Sequence, residues 1–199
     1  MMEDSTAAPH RFNPHHLAHL DNPLRSLLMP ARRTLERFGI AQGDVVIDVG
    51  AGSGYFSEAA ARIVGPGGRV IAVDVAPEAI ALIERKRAET GLGNLQAFLA
   101  TGADLGVEDG AATVVFFHTV LHEVEDKPRM LDACYRALAA GGRILIVEFR
   151  AGAPFGPPRS ERIGEEKMRS LLADAGFSHI AITPASWWSY RALASRTEP

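Results

Sequence analysis

From Asp44 onward, short β-branched runs alternate with stretches whose apolar residues recur at helical spacing. This alternation predicts a parallel sheet with crossover helices. The predicted strands cover residues 45–49, 69–74, 95–99, 114–117 and 143–149, and an antiparallel edge pair follows at 177–183 and 187–193. The predicted helices cover residues 54–64, 77–90, 126–139 and 162–175.

The start of the chain lacks this regularity. Residues 1–22 are rich in Pro, Asn and His without periodicity, which predicts an extended arm lying on the domain. Residues 23–39 have a helical pattern with a break or restart at Pro30 and a glycine suited to the C-terminal cap. We therefore expect a single domain over residues 1–199, in which this arm and helical cap precede an α/β core at 40–199.

The composition is that of a soluble globular protein, with 47% hydrophobic and 23% charged residues. A formal net charge of −3 gives no electrostatic support for a nucleic-acid partner. No apolar run approaches the ~20 residues that a membrane helix needs. The acidic N-terminus has no secretion-type apolar segment. We expect a cytoplasmic protein with no nucleic-acid partner and no membrane span.

Metal chemistry has little support in the sequence. The single cysteine, Cys134, excludes an internal disulfide and a cysteine-based zinc site, and its apolar helical surroundings indicate a buried structural thiol. The arm contains four histidines, of which His15 and His19 have helical spacing. Because no carboxylate or cysteine stands beside them, we predict no metal site.

The chain is organised around a glycine-rich turn that follows the first predicted strand. Asp48 ends this strand, and three glycines stand at alternate positions before a helix starts, namely Gly50, Gly52 and Gly54. Glycines let a ligand approach the backbone, and a helix N-terminus presents unpaired N–H groups. The pattern indicates a nucleotide-type pocket. Tyr55 occupies the position where the dinucleotide pattern G-x-G-x-x-G needs its third glycine, which argues against a dinucleotide.

Asp74 ends the second predicted strand, roughly twenty residues beyond the glycine turn. A carboxylate at this place can accept hydrogen bonds from both hydroxyls of an adenosine ribose. The alternative is a helix N-terminal aspartate that interacts favourably with the helix dipole. The glycine turn upstream favours the ribose role.

Taken together, these motifs resemble those of class I S-adenosylmethionine-dependent methyltransferases over nearly the whole chain. The resemblance rests on the stretches VIDVGAGSG (46–54), VIAVD (70–74), VLHEV (120–124) and LAAGGRI (138–144). The stretches HRFNP (10–14) and GPP (156–158) are also similar to a subgroup of small bacterial and archaeal members. That subgroup resembles the ubiquinone/menaquinone-biosynthesis methyltransferases.

The resemblance implies a Rossmann-like, doubly wound α/β fold. Its seven strands would lie in the order 3-2-1-4-5-7-6, with strand 7 antiparallel and helices on both faces. It also implies S-adenosyl-L-methionine as the methyl donor and S-adenosyl-L-homocysteine as the product. The partner would be a small-molecule acceptor that the sequence does not identify, and the protein would be a monomer or a homodimer.

The resemblance further implies which residues bind the cofactor. Backbone groups of the glycine turn would line its methionine and ribose, Asp48 would order the turn or meet the amino group, and the segment after strand 3 would flank the adenine. Many family members have an adenine-binding aspartate there, but Thr101 rather than Asp104 occupies that position. The implied cofactor-binding residues are Asp48, Gly50, Ala51, Gly52, Gly54, Tyr55, Asp74, Val75, Thr101, Gly102 and His118.

Three residues are candidates for a catalytic role. His118 ends strand 4, where the chain of the family passes beneath the sulfonium methyl group. For His122 three roles stay open: it orders the loop through backbone groups, it acts as a general base, or, with least support, it binds a metal. Glu148 ends strand 5, is expected to point toward the same space, and would contact the substrate.

The implied reaction needs few catalytic groups. The methyl group of a sulfonium is already activated, so the protein mainly aligns acceptor, methyl carbon and sulfur. We therefore predict a methyltransferase that acts on an unidentified small molecule. The alternatives are a non-catalytic cofactor-binding or regulatory protein with the same fold, and an NAD-dependent oxidoreductase, which Tyr55 disfavours.

Overall fold

The computed structural model describes residues 30–197, in which a seven-stranded sheet is covered by helices. The strands are β1 (Val45–Val49), β2 (Arg69–Asp74), β3 (Leu95–Leu99), β4 (Ala112–His118), β5 (Leu138–Phe149), β6 (Ser178–Pro184) and β7 (Ser189–Ser195). The helices are α1 (Ala31–Arg37), α2 (Tyr55–Val64), α3 (Pro77–Thr90), α4 (Lys127–Ala137) and α5 (Glu165–Asp174), with a 3₁₀ turn at Leu121–Glu123. The predicted arm and the first part of the helical cap lie outside the described residues.

The strand order is β3-β2-β1-β4-β5-β7-β6. Strands β1 to β5 pair in parallel, whereas β7 is antiparallel to both of its neighbours. The expected order and the antiparallel seventh strand are confirmed. Since the order reverses between β1 and β4, their carboxyl ends border the crevice in which open α/β sheets bind ligands.

Each face of the sheet has its own apolar layer, because successive side chains of a strand point to opposite faces. One layer joins the sheet to α1, α2 and α3, and it includes Leu35, Val46, Phe56, Val70, Ile83, Val114 and Phe116. The other joins it to α4 and α5, and it includes Ile47, Ile71, Val115, Phe117, Leu131, Ile144 and Leu172. Helices therefore cover both faces, as expected.

Two predicted boundaries are wrong. Residues 138 and 139 were predicted to end α4 but belong to β5, where Leu138 pairs with Ala112. The strand predicted from residue 143 therefore starts earlier and includes Gly141, whose N–H donates to the carbonyl of Arg196. Helix α5 starts at Glu165 rather than at residue 162. The side chain of Arg162 instead donates to the carbonyl of Ala153, in the loop that precedes the helix.

The two tryptophans precede β7 instead of lying in it. Trp187 is 70% exposed and Trp188 is half-buried, so neither is fully buried in the core. Tyr190 is instead the aromatic residue of β7 that is fully buried, and its hydroxyl donates to the carbonyl of Ile163 at 2.7 Å. Within residues 30–197, no helix has the length and apolar character needed to cross a bilayer.

Candidate functional site

The glycine turn after β1 has the backbone geometry that only glycine adopts freely. Gly50 has a φ of +70°, and the turn is fastened to β2 because the N–H groups of Gly50 and Ala51 donate to Val73 at 2.8 and 3.1 Å. A Cβ atom on Gly50 would lie 2.4 Å from Cγ1 of Val120. The turn is therefore packed between β2 and the segment that follows β4.

The last glycine of the turn begins α2. Gly54 is the N-cap of α2 with a φ of +74°, and a Cβ there would lie 2.9 Å from Ile83. Tyr55 starts the helix, and its hydroxyl accepts a hydrogen bond from the N–H of Ala31 at 3.3 Å. The tyrosine that breaks the dinucleotide pattern thus contacts the first turn of α1.

Asp48 is buried at the end of β1. Its Oδ2 accepts a hydrogen bond from Oγ of Ser57 in α2 at 2.5 Å. This contact joins the strand before the glycine turn to the helix after it, so that Asp48 orders the turn between them. Contact with a cofactor amino group stays a prediction.

Asp74 is half-buried at the end of β2, and both of its carboxylate oxygens have backbone partners. Oδ2 accepts from the N–H of Gly52 at 2.8 Å, and Oδ1 accepts from the N–H of Ala76 at 2.9 Å. The carboxylate thus joins the middle of the glycine turn to the start of α3. Each oxygen keeps a lone pair for a further donor.

Two apolar side chains are exposed beside Asp74. Val75 is 68% exposed, and Leu99, which pairs with Asp74 across β2 and β3, is 45% exposed. Thr101 and Gly102 are exposed on the loop after β3. Leu99 was not predicted as a site residue. An apolar residue at the carboxyl end of a predicted parallel strand could have indicated it, because ligands bind at that edge of the sheet.

Asp104 has a structural role in the loop after β3. Oδ1 of Asp104 accepts a hydrogen bond from the N–H of Gly106 at 3.0 Å, so this carboxylate stabilises its own turn. That Thr101 rather than Asp104 faces the adenine stays a prediction.

His118 is half-buried at the end of β4, on the same sheet face as α2. Its ring stacks on Phe56, with 4.4 Å between ring centroids and an interplanar angle of 28°. Phe56 was not predicted as a site residue. Its ring fixes the orientation of the imidazole at the edge of the glycine turn.

Glu148 does not point toward the same space as His118, which corrects the expectation from the sequence. In the register of β4 and β5, His118 pairs with Val147. Paired residues share a face, so the next residue, Glu148, projects from the opposite face. There it is only 1% exposed, so it is shielded from solvent on the side of α4 and α5.

His122 binds Glu148, so it orders the turn through this carboxylate rather than through the backbone groups that were predicted. Nδ1 of His122 lies 2.9 Å from Oε2 of Glu148, and its backbone N–H donates to Oε1 at 3.1 Å. The N–H of Phe149 donates to the same carboxylate at 3.2 Å. A buried carboxylate with three donors holds the 3₁₀ turn against the end of β5.

The charges around His122 shift its titration. Burial lowers the pKa of His122, but the hydrogen bond and charge of Glu148 outweigh burial and raise the pKa above its ordinary value. On the other side of the ring, Nε2 lies 3.7 Å from Oε1 of Glu123. Desolvation raises the pKa of the Glu123 carboxyl, against the opposing charge of His122.

An aromatic cluster borders this pair where β5 ends. Phe149 packs edge-on against His122, with 5.9 Å between ring centroids, and its ring is tilted against that of Trp188 at 5.2 Å. Phe155 contacts Trp188 at 5.5 Å and Trp187 at 5.6 Å. Phe155 and Trp187 are exposed, so the cluster presents an aromatic surface on the carboxyl side of the sheet.

Soft and metal-binding groups are scarce in this part of the molecule. Cys134 is buried in α4, and burial raises the pKa of its thiol well above the ordinary value. Among residues 30–197, no group of three or more His, Cys, Asp and Glu side chains is arranged to hold a metal ion. The histidines of the arm lie outside the described residues.

Comparison with known proteins identifies the family of this site. Residues 40–179 match the family model described as "Methyltransferase domain". The arsenite methyltransferase of Halobacterium salinarum is 31% identical over 158 residues, which are 73% of this chain and 40% of that protein. The ubiquinone/menaquinone biosynthesis C-methyltransferase UbiE of Haemophilus ducreyi is 30% identical over 84% of this chain and 63% of that protein.

A solved structure agrees with the fold over almost the whole chain. The crystal structure of a SAM-dependent methyltransferase from Aquifex aeolicus superposes with a TM-score of 0.87 and 24% sequence identity. The match covers 94% of this chain and 100% of that one. The two curated relatives are longer, since the chain spans 40% and 63% of their lengths.

Proposed function

The chain belongs to the methyltransferase domain family, and from that premise we propose that it transfers a methyl group from S-adenosylmethionine to a small-molecule acceptor. One observation carries the proposal. The carboxylate of Asp74 is fixed by Gly52 beside two exposed apolar side chains, Val75 and Leu99. A carboxylate next to an apolar surface is complementary to the ribose and adenine of an adenosyl group.

The site residues fit each part of this cofactor. Asp74 would hold the ribose hydroxyls, and Val75 with Leu99 would contact the adenine, near backbone groups of Thr101 and Gly102. The methionine end would lie along the glycine turn, which Val120 borders at Gly50. Because the alternate glycines of the turn carry no side chains, a ligand can approach its backbone closely.

Positioning is the main contribution that we propose for the protein. The bound sulfonium supplies an already activated methyl group. Holding an acceptor in line with this methyl group lowers the activation barrier by several kcal/mol, because the translational and rotational entropy of the acceptor has already been lost when it binds. His118, whose ring is held by Phe56, is the candidate for lining the methyl position. A base is needed only for an acceptor that must lose a proton.

The chemistry of the chain favours an organic acceptor over arsenite. Trivalent arsenic is bound by thiolates, and the only cysteine of the sequence, Cys134, is buried with a raised thiol pKa. The aromatic surface of Phe155 and Trp187 near the end of β5 suits a planar or apolar molecule. We therefore favour a carbon, oxygen or nitrogen acceptor on such a molecule.

Turnover with a panel of acceptors tests the proposal. The purified protein is incubated with S-adenosylmethionine and with quinol precursors, phenols, amines, thiols or arsenite, and released S-adenosylhomocysteine is quantified. We expect product only with one of the organic acceptors and none with arsenite. Turnover of arsenite alone would overturn the acceptor assignment. Tight binding of the cofactor with no turnover on any acceptor would favour the non-catalytic or regulatory alternative.

A further inference from the structure

The turn after β4 contains a strained residue. Thr119 has a φ of +56°, a left-handed conformation that β-branched residues rarely adopt. Within residues 30–197 only one other non-glycine residue has a positive φ, His179 on the edge strand β6. Such strain persists where the surrounding structure enforces it, and it is concentrated at functional sites.

On its N-terminal side, the strained residue is held by β5 and by its own hydroxyl. The N–H of Thr119 donates to the carbonyl of Val147 at 2.8 Å, which extends the β4–β5 ladder by one bond. Oγ1 of Thr119 donates to the carbonyl of His118 at 2.7 Å. These bonds fix where the strand ends, but they do not fix the direction of the chain beyond it.

On its C-terminal side, the direction is fixed by Glu148. Its carboxylate accepts from both the backbone N–H and the ring Nδ1 of His122. Replacing a buried ion pair by apolar residues of similar volume is often neutral or stabilising, so stability alone does not explain this pair. In some proteins such pairs are retained because they specify one local geometry.

The geometry that Glu148 fixes is the wall of the cofactor site. Between the strained residue and the clamped one, Val120 projects onto the glycine turn and would collide with any Cβ on Gly50. On the other side of Thr119, the ring of His118 stacks on Phe56. One short turn therefore sets the position of two site side chains.

We propose that Glu148 and His122 are positioning residues that clamp the turn 119–122 in its strained form, so that Val120 and His118 stay aligned along the glycine turn. The pair acts through the turn and makes no contact with the reacting atoms. The inference rests on the proposed function, because it assigns the alignment to the same cofactor site.

Variants at both ends of the turn test the clamp, with S-adenosylhomocysteine affinity measured by calorimetry. Glu148→Leu removes the clamp and is expected to weaken binding about tenfold. Adding Thr119→Gly to that variant is expected to restore most of the loss, because glycine adopts the left-handed conformation without strain. His179→Gly is the control, since it also replaces a residue of positive φ, on the edge strand β6, and is expected to restore nothing.

Two further measurements separate the clamp from a general loss of stability. Hydrogen exchange of the amides at 119–123 is expected to accelerate in Glu148→Leu while the strand amides stay protected. If Glu148→Leu does not fold, Glu148→Gln keeps the size and the acceptor oxygen, and we expect about threefold weaker binding, again restored by Thr119→Gly.

The outcomes are distinguishable. Wild-type affinity in a folded Glu148→Leu variant, or equal recovery from His179→Gly and Thr119→Gly, would overturn the clamp and leave the proposed function intact. A wild-type protein that binds no S-adenosylhomocysteine would overturn the proposed function itself. Weakened binding that only Thr119→Gly restores supports the clamp.

Discussion

At the scale of single residues, the carboxylate of Asp74 is held by hydrogen bonds from the backbone. Its two backbone partners, Gly52 and Ala76, hold it between the glycine turn and the start of α3. A preorganised acceptor loses less conformational freedom on binding, which increases affinity. The ribose role of Asp74 stays a proposal, and these two backbone bonds, which the sequence could not reveal, support it.

Replacing Asp74 by alanine is expected to weaken S-adenosylhomocysteine binding by about 1.5–3 kcal/mol, the scale of hydrogen bonds to a charged group. Isothermal titration calorimetry measures the change. Asp104→Ala is the matched control, since that carboxylate also stabilises a loop at the same edge of the sheet but is not expected to meet the ribose. Equal affinity of wild type and Asp74→Ala would mean that the ribose is held elsewhere.

Gly50→Ala is expected to abolish measurable cofactor binding, because the new Cβ would lie 2.4 Å from Val120 and displace one wall of the site. Gly110→Ala is its control. Gly110 has a φ of +75°, close to the +70° of Gly50, but a Cβ there meets nothing within 4 Å. The two variants share the backbone strain, so comparable binding by both would show that Val120 does not define the site.

The His122 ion pair makes a pH-dependent contribution to stability. The folded-state pKa is raised, so the stabilisation is complete below the unfolded value of about 6.5 and is lost as the pH rises through the folded value. Urea unfolding of wild type and His122→Gln at several pH values should show the largest difference in the free energy of unfolding at the acidic end.

Several charges set this pH dependence. Glu148 from β5, Glu123 from the same turn and Glu161 from the loop before α5 raise the pKa of His122. Lys127 in α4 interacts with two of these carboxylates and donates to the carbonyl of Val124 at 2.7 Å. If the difference in the free energy of unfolding between wild type and His122→Gln grew with increasing pH, that would contradict the assignment of the raised pKa of His122 to the carboxylates.

Some residues of the site could not be found from the sequence. His122 and Glu148 stood out as chemically active side chains, but their contact joins residues 26 positions apart and depends on the β4–β5 register. The strain of Thr119 is invisible in a sequence because threonine normally has a negative φ. In contrast, the glycines and Asp74 could be proposed as site residues because their residue types and spacing are themselves the signal.

At the scale of elements, the loop between β5 and α5 is held in shape by one side chain. The guanidinium of Arg162 donates to five carbonyl oxygens of this loop, those of Arg150, Ala151, Ala153, Phe155 and Pro157. A planar group with five donors in a fixed geometry suits this task. The loop that presents Phe155 is therefore ordered by internal bonds.

Replacing Arg162 by methionine is expected to lower the free energy of unfolding by about 2 kcal/mol, since several carbonyls lose a charged donor. Urea denaturation measures the shift of the midpoint. Arg169→Met is the control, because that side chain makes a single bond, to the carbonyl of Ile180. If both variants lose the same stability, the loop does not depend on the guanidinium.

The strands were predicted well because β-branched runs that are buried on both faces leave a clear pattern, as in Val45–Val49. The boundary between α4 and β5 was missed for a physical reason. The residues Leu138-Ala139-Ala140 have high helix propensity, but pairing of Leu138 with Ala112 draws them into the strand. Tertiary pairing is not encoded in local propensity.

At the scale of the whole molecule, the sheet holds the proposed donor site and the aromatic surface on one edge. The glycine turn follows β1 at the reversal of the strand order, and the aromatic cluster follows β5. Alternating strands and helices predicted a parallel sheet, but the order of the strands came only from the resemblance to a family. A fold of this kind supports many reactions, so the function has to be argued from the site.

The most direct test of the central claim is a calorimetric titration of the unmodified protein with S-adenosylhomocysteine and, separately, with NAD. We expect saturable binding of S-adenosylhomocysteine, because Asp74, Val75 and Leu99 match an adenosyl group. We expect no binding of NAD, because Tyr55 replaces the third glycine of the dinucleotide pattern. Binding of NAD without binding of S-adenosylhomocysteine would contradict it.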